Sequence, residues 1–99
     1  MGDDYNFLKA RVRRPEHVVY RSFAAETVVL NLDTGQYHGL NATAGRMLEV
    51  LEEVGSVQEA ASRIARDYGQ PVTEVEEDLC TLCASLADRG LIEVDGDVR

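Results

Sequence analysis

The sequence predicts an α+β fold of winged helix-turn-helix type, an N-terminal three-stranded antiparallel sheet followed by three helices. Three observations carry that expectation. From residue 28 to 33 side chains alternate with the two-residue period of a strand, followed by the turn residues Asp33-Thr34-Gly35. From residue 42 to 90 they recur at three and four, the helical period. Glycines at 55, 69 and 90, with polar capping residues after the first two, cut that second half into three pieces. Consecutive strands with short connections pair as an antiparallel meander, and helices joined by short linkers cover one face of it.

Val18 to Phe23 reads as the first strand, with Ala24, Ala25 and Glu26 connecting it to the second. In the second, Val28, Leu30 and Leu32 alternate with Val29, Asn31 and Asp33. Asp33-Thr34-Gly35 is turn chemistry, since Asp bonds its own backbone two residues on and Gly tolerates positive φ. Gln36 to Leu40 forms the third strand, and Asn41 stands where a helix N-cap belongs, ahead of the apolar repeat Ala44, Met47, Leu48, Leu51.

The first helix is expected from Ala42 to Val54 and ends at Gly55. Ser56 and Glu59 have capping-box spacing, as do Thr73 and Glu76. Val57, Ala60, Ala61, Ile64, Ala65 and Tyr68 mark the buried stripe of helix two, and Val75, Leu79, Leu82 and Leu86 that of helix three. Leu91 to Val94 forms a short apolar end. Residues 1–15, with the basic cluster Lys9, Arg11, Arg13 and Arg14, are expected as a flexible arm. Residues 16–95 then form the domain, and 96–99 a tail.

Ninety-nine residues suit one core. Eighteen acidic against ten basic side chains leave a net charge of −8, which opposes general attraction to nucleic acid or anionic membrane. With no long apolar run and only two cysteines, a cytoplasmic protein without a disulfide framework is expected.

Catalysis finds little support. Neither a Gly-rich phosphate loop nor a nucleophile elbow is present, and His17 and His38 fall on β segments without triad partners. Cys80 and Cys83 form a single CxxC in mid-helix, whereas zinc needs about four ligands and a redox pair sits at a helix N-terminus. No catalytic, cofactor or metal site is expected. Cys80, Cys83, Ala84 and Ala87 form instead a strip of small residues beside the leucine stripe. That strip has two readings of equal weight. It leaves a shallow apolar channel beside the third strand, where an extended peptide adds as a further strand, or it lets helix three approach another helix closely.

The run from Leu32 to Asn41 (LDTGQYHGLN), then Ala44-Gly45 and the Leu48/Leu51 helix, resembles PqqD-like proteins. These include the RiPP recognition elements, above all the small stand-alone ones of lasso-peptide clusters. Ser56-Val57 with Ala60-Ala61, and the ending Leu79, Leu82, Leu86, Gly90-Leu91-Ile92, resemble the same family. The resemblance spans about Val18 to Val94 and rests on order and spacing more than on any single piece.

It implies a non-catalytic module that binds the leader of a ribosomally made precursor peptide as a strand between strand three and helix three. The module then presents the precursor to a modifying enzyme, in lasso clusters a leader peptidase with its cyclase. Such leaders usually offer Tyr-x-x-Pro to an apolar pocket. Carried onto this chain, the peptide-binding residues are Gln36, Tyr37, His38, Gly39 and Leu40 with Glu76, Leu79, Cys80, Leu82 and Cys83. His38-Gly39 stands where bulkier residues are common in the family, and Gly39 is expected to weaken the strand or to admit a ligand backbone closely. The acidic residues Glu74, Glu76, Glu77 and Asp78 are expected to favour basic leader residues. Two alternatives accompany this reading, a winged-helix DNA-binding regulator and a subunit that tunes an enzyme without binding peptide. Pairing of two copies through the exposed edge is a further use of the same strand.

Overall fold

The β-hairpin runs directly into the first helix, and that junction sets the layout. The computed structural model describes residues 4–95. Residues 1–3 of the expected arm and the whole expected tail, 96–99, lie outside the described residues. The elements are a 3₁₀ helix (Asp4–Lys9), β1 (Arg11–Arg13), β2 (Val18–Ser22), β3 (Glu26–Asn31), β4 (Tyr37–Asn41), α1 (Ala42–Val54), α2 (Val57–Tyr68), α3 (Val72–Asp88) and β5 (Glu93–Asp95). The meander β2-β3-β4 is the expected three-stranded antiparallel sheet, and α1, α2 and α3 follow it as expected.

Register divides the sheet into two faces. Val18, Tyr20, Thr27, Val29, His38 and Leu40 share the side that packs towards α1, where Val18, Thr27 and Val29 are buried. Val19, Leu30 and Tyr37 share the opposite side. The turn between β3 and β4 differs in one detail from expectation. Asn31, not Asp33, supplies the acceptor: its Oδ1 takes the N–H groups of Asp33 (2.9 Å) and Thr34 (3.3 Å). Gly35 adopts φ 78° and closes the turn with its N–H on the Asn31 carbonyl.

Asn41 is the last residue of β4 and the N-cap of α1, its Oδ1 accepting the Ala44 N–H at 2.8 Å. One turn later Gly45 lies against β3. A Cβ at Gly45 would come within 2.8 Å of Thr27 Cβ, so the helix touches the strand because nothing projects there. Ser22 Oγ donates to Glu49 Oε2 (2.9 Å), so the Thr27 hydroxyl donates to Ser22 Oγ (3.2 Å). This satisfies the one buried polar side chain among the described residues and ties two strands to α1.

The expected cap at Ser56 forms, with Oγ accepting from Glu59 N–H at 3.2 Å. The one expected at Thr73 does not. Helix α3 begins earlier, at Val72, behind Pro71, and has no side-chain cap. Proline at the boundary fixes φ near the helical value, so the helix starts one residue before Thr73 reaches capping position. Gly55, Gly69 and Gly90 take positive φ at or just past the ends of the three helices. Of the expected stripes, Tyr68 is exposed and Leu82 half-buried, while the remaining positions are buried.

The N-terminal segment departs most from the sequence reading. Instead of a flexible arm, Asp4–Lys9 packs on α3 and α2, with Phe7 and Leu8 against the core. Ala10 and Val12 are buried, and Val12 donates to the Gly55 carbonyl at 2.8 Å. β1 then pairs with β5 as a second, two-stranded sheet closed by Arg13–Glu93 at 2.7 Å. Ala10 and Val12 alternate with Arg11 and Arg13, a strand period too short to stand out against four positive charges.

Arg14 also folds back. It holds Glu52 through two contacts (2.8 and 2.7 Å), donates to the Val18 carbonyl and lies 5.6 Å from the Tyr20 ring centre. Burial, then its hydrogen bond to Glu52 and the nearby carboxylates, push Tyr20 up to about 12. Partial burial pushes Glu52 up, but the hydrogen bonds from Arg14 and Tyr20 and the Arg14 charge together outweigh it and hold the carboxyl below its ordinary value.

Gly45→Ala is expected to destabilise the protein. Overpacking against Thr27 costs about 1–3 kcal/mol, and the better helix propensity of alanine returns only about 1 kcal/mol. Thermal unfolding by circular dichroism reads the outcome, a lowered Tm. For Glu52 the lowered carboxyl value means its stabilisation is present above the unfolded-state value of 4.5 and is lost as pH falls through the folded one. Urea midpoints should therefore separate parent from Glu52→Gln by about 0.5–1 kcal/mol at pH 7, and the gap should close in acid.

Candidate functional site: the free edge of β4 and its facing helix

β4 is the last strand of the meander, so among the described residues one of its two edges is unpaired. The Asn31 N–H donates to the Gln36 carbonyl at 2.8 Å, which sets the phase of the β3–β4 ladder. Alternation from that pair makes Val29–His38 and Thr27–Leu40 the hydrogen-bonded pairs, so the N–H and C=O groups of Tyr37 and Gly39 turn to the open side. Gln36 lies in the turn just before the strand. A Cβ at Gly39 would meet no atom within 4 Å, and its φ is not positive. The isolated fold thus places no demand for glycine there.

Side-chain placement follows the two faces. Tyr37 is 72 % exposed on the outer face, whereas His38 and Leu40 are half-buried on the inner one. β4 packs on β3 and α1, and α3 packs on α2 and the 3₁₀ helix. A hydrogen bond bridges β4 and α3: Arg89, the C-cap of α3, donates from Nη1 to His38 Nδ1 at 3.0 Å. The guanidinium has only donors, so Nδ1 accepts and carries no proton.

That bridge identifies the side of α3 facing the strand. Leu82 and Arg89 are seven residues apart, two helical turns on one flank, and Asp78 and Ser85 share it. Glu76, Cys80, Ala84 and Ala87 lie on the other flank. Between them Leu79 and Cys83 point into the core with no exposure, joined by Cys80 at 3 %. Of the helix residues expected in a groove, Leu82 is therefore beside β4. Leu79, Cys80 and Cys83 are core side chains beneath it, and Glu76 is half-buried on the far flank. The small-residue strip is filled rather than open, because the 3₁₀ helix and α2 both press on α3.

Sequence reasoning missed Arg89. Its spacing of seven from Leu82 was visible, but only the bond to His38 shows that this flank faces the strand. Neither cysteine has the setting of a reactive thiol. Burial, reinforced by the neighbouring Cys80, pushes Cys83 up to about 12. No cluster of metal-ligating side chains is found among the described residues, and no described helix is long and apolar enough to cross a membrane.

A free strand edge, an inner face of half-buried side chains and a facing helix are the geometric features that strand addition requires. The family model for coenzyme PQQ synthesis protein D (PqqD) matches residues 26–92, and the chain belongs to the PqqD family. Among solved structures it is similar to TbiB1 in complex with the TbiA(beta) leader peptide, with a TM-score of 0.76 and 33 % sequence identity over 86 % of this chain and 99 % of that one. It is also similar to lasso peptide synthetase B1 complexed with the leader peptide, with a TM-score of 0.74 over 84 % of this chain and 98 % of that one. At 24 % identity the second likeness speaks for the fold. No curated protein sequence gives a significant match.

The buried thiols yield a direct check. In the native protein both Cys80 and Cys83 should resist a thiol reagent such as DTNB at pH 8 and react fully in guanidinium chloride. Cys83→Ser should cost about 1–3 kcal/mol through the buried hydroxyl, read as a drop in the urea midpoint.

Proposed function

We propose that the protein is a non-catalytic carrier for the leader region of a ribosomally made precursor peptide, in keeping with a lasso-peptide system. The leader adds to β4 as a fourth strand, between β4 and the Leu82 flank of α3, and is presented to a modifying enzyme such as a leader peptidase with its associated cyclase. One observation carries the reading: Tyr37 and Gly39 offer paired N–H and C=O groups to the open edge, beside the half-buried Leu40 and Leu82. The likeness to TbiB1, solved with a leader peptide, supports it at 33 % identity.

Backbone pairing fixes registry, and side chains facing inward from alternate leader positions meet His38, Leu40 and Leu82. Gln36 borders the entry of the strand. Leu79, Cys80 and Cys83 act from beneath, holding α3 at its distance from the sheet. Glu76 lies on the other flank and, with Glu74, Glu77 and Asp78, gives the first half of α3 a negative field suited to basic leader residues. The same carboxylates oppose a phosphate backbone, so no site observation favours DNA binding. This role needs no metal or cofactor, fits a cytoplasmic setting and treats residues 16–95 as the recognition domain, buttressed by Asp4–Arg13. Pairing of two copies through β4 would compete with leader for one edge.

Fluorescence anisotropy with a labelled leader from the precursor encoded beside the gene, and a scrambled control, tests the proposal. Saturable binding at micromolar Kd or tighter, absent for the scramble, is expected. Leu82→Glu should weaken it at least tenfold with the circular dichroism spectrum unchanged. Binding of neither peptide by the folded protein would sink the reading.

A further inference from the structure

Arg89 differs from the basic side chains that are held in ion pairs. Arg13, Arg14, Arg46 and Arg63 each pair with a carboxylate. Arg89 instead rests on the Nδ1 of an imidazole, and no described carboxylate pairs with it. Its position is equally specific: it closes α3 and reaches across to the first half of β4, next to the backbone groups of Tyr37. A guanidinium has five N–H donors in a planar fork, and a single contact to His38 leaves a bidentate acceptor site unfilled.

Resting on the proposed leader-binding role, we infer that Arg89 is a specificity-determining residue that reads a carboxylate in the bound leader. A strand added along β4 alternates its side chains, and those on the inner side share the face of His38 and Leu40. The inner side chain beside His38 therefore arrives at the guanidinium. If it is Asp or Glu, the fork exchanges one neutral acceptor for two charge-assisted bonds, which are shorter and stronger. His38 acts as a positioning residue, holding the fork across the opening until the carboxylate takes it. Apolar side chains at that point would leave Arg89 where it is and gain nothing from it. The ligand class is thus a leader with an acidic residue at the inner position next to His38, at the end of the cleft away from the carboxylates of the first half of α3.

The experiment uses the full chain and the same labelled leader, with each of its Asp and Glu residues changed in turn to Lys. Arg89→Glu is expected to weaken the parent leader at least tenfold, and one Asp/Glu→Lys leader to recover most of that loss with this variant alone. The parent complex should weaken with added salt more steeply than that of Arg89→Gln. Equal affinity of parent, Arg89→Gln and Arg89→Glu for the unmodified leader would overturn the inference while leaving leader binding standing. A loss that no charge-reversed leader rescues would also overturn it, since Arg89 would then act only through the fold. Absence of binding by the parent itself would remove the leader reading and the inference together.

Discussion

Helix α1 lies on the sheet at the distance of a backbone, and the rest of the molecule depends on that contact. Asn41 ends β4 and caps α1, leaving the chain no loop in which to adjust the angle between strand and helix. Gly45 then meets Thr27 with no side chain between. Because α1 is anchored at its first turn, α2 and α3 inherit their positions through the short links at Gly55 and Gly69. The hydroxyl chain Thr27, Ser22, Glu49 guards the same contact by supplying a partner for a polar group that would otherwise be buried alone. A Cβ at residue 45 would lift the first helix, and with it the helix that faces the free edge.

Much of this was legible because local signals agreed. The two-residue period, the αL glycines, Asn41 and the Ser56 cap each report on a few neighbouring residues, and each formed as expected. What the sequence concealed was non-local. Asn31 rather than Asp33 holds the turn, because both are competent acceptors and only the backbone path chooses between them. Thr73 has the right partner three residues on, yet Pro71 starts the helix first. Ala10 and Val12 looked like part of a charged arm, because the segments they pair with, at Gly55 and Val57 and in β5, are distant in sequence.

The candidate site shows the same division. The edge residues Tyr37 to Leu40 follow from strand order, which the sequence supplies. Their facing helix residues depend on the rotation of α3 about its own axis, which helical spacing alone leaves open. Cys80, Cys83 and Leu79 are apolar and were credible on either side of that rotation. The Arg89–His38 bond resolves it, turning Leu82 to the strand and the cysteines to the core. A filled small-residue strip then does something other than bind: it lets the 3₁₀ helix and α2 press closely on α3, fixing that helix from behind.

A backbone edge by itself discriminates poorly. Any extended chain can offer N–H and C=O groups to Tyr37 and Gly39, and an unguarded edge invites self-pairing. Selectivity has to come from the few side chains that an incoming strand meets at alternate positions, and here those are unlike one another. In the proposed site, Leu40 and Leu82 would reward apolar groups, whereas the carboxylates on the first half of α3 would repel negative ones. Arg89 is the exception in sign, at the other end of the helix. In a protein of net charge −8, one cation there with no described carboxylate partner would separate the field along the proposed site instead of spreading it. Such a field distinguishes the two directions in which a strand can lie, which hydrogen bonding along the edge does only weakly. Apolar contacts then supply affinity, and charge supplies orientation.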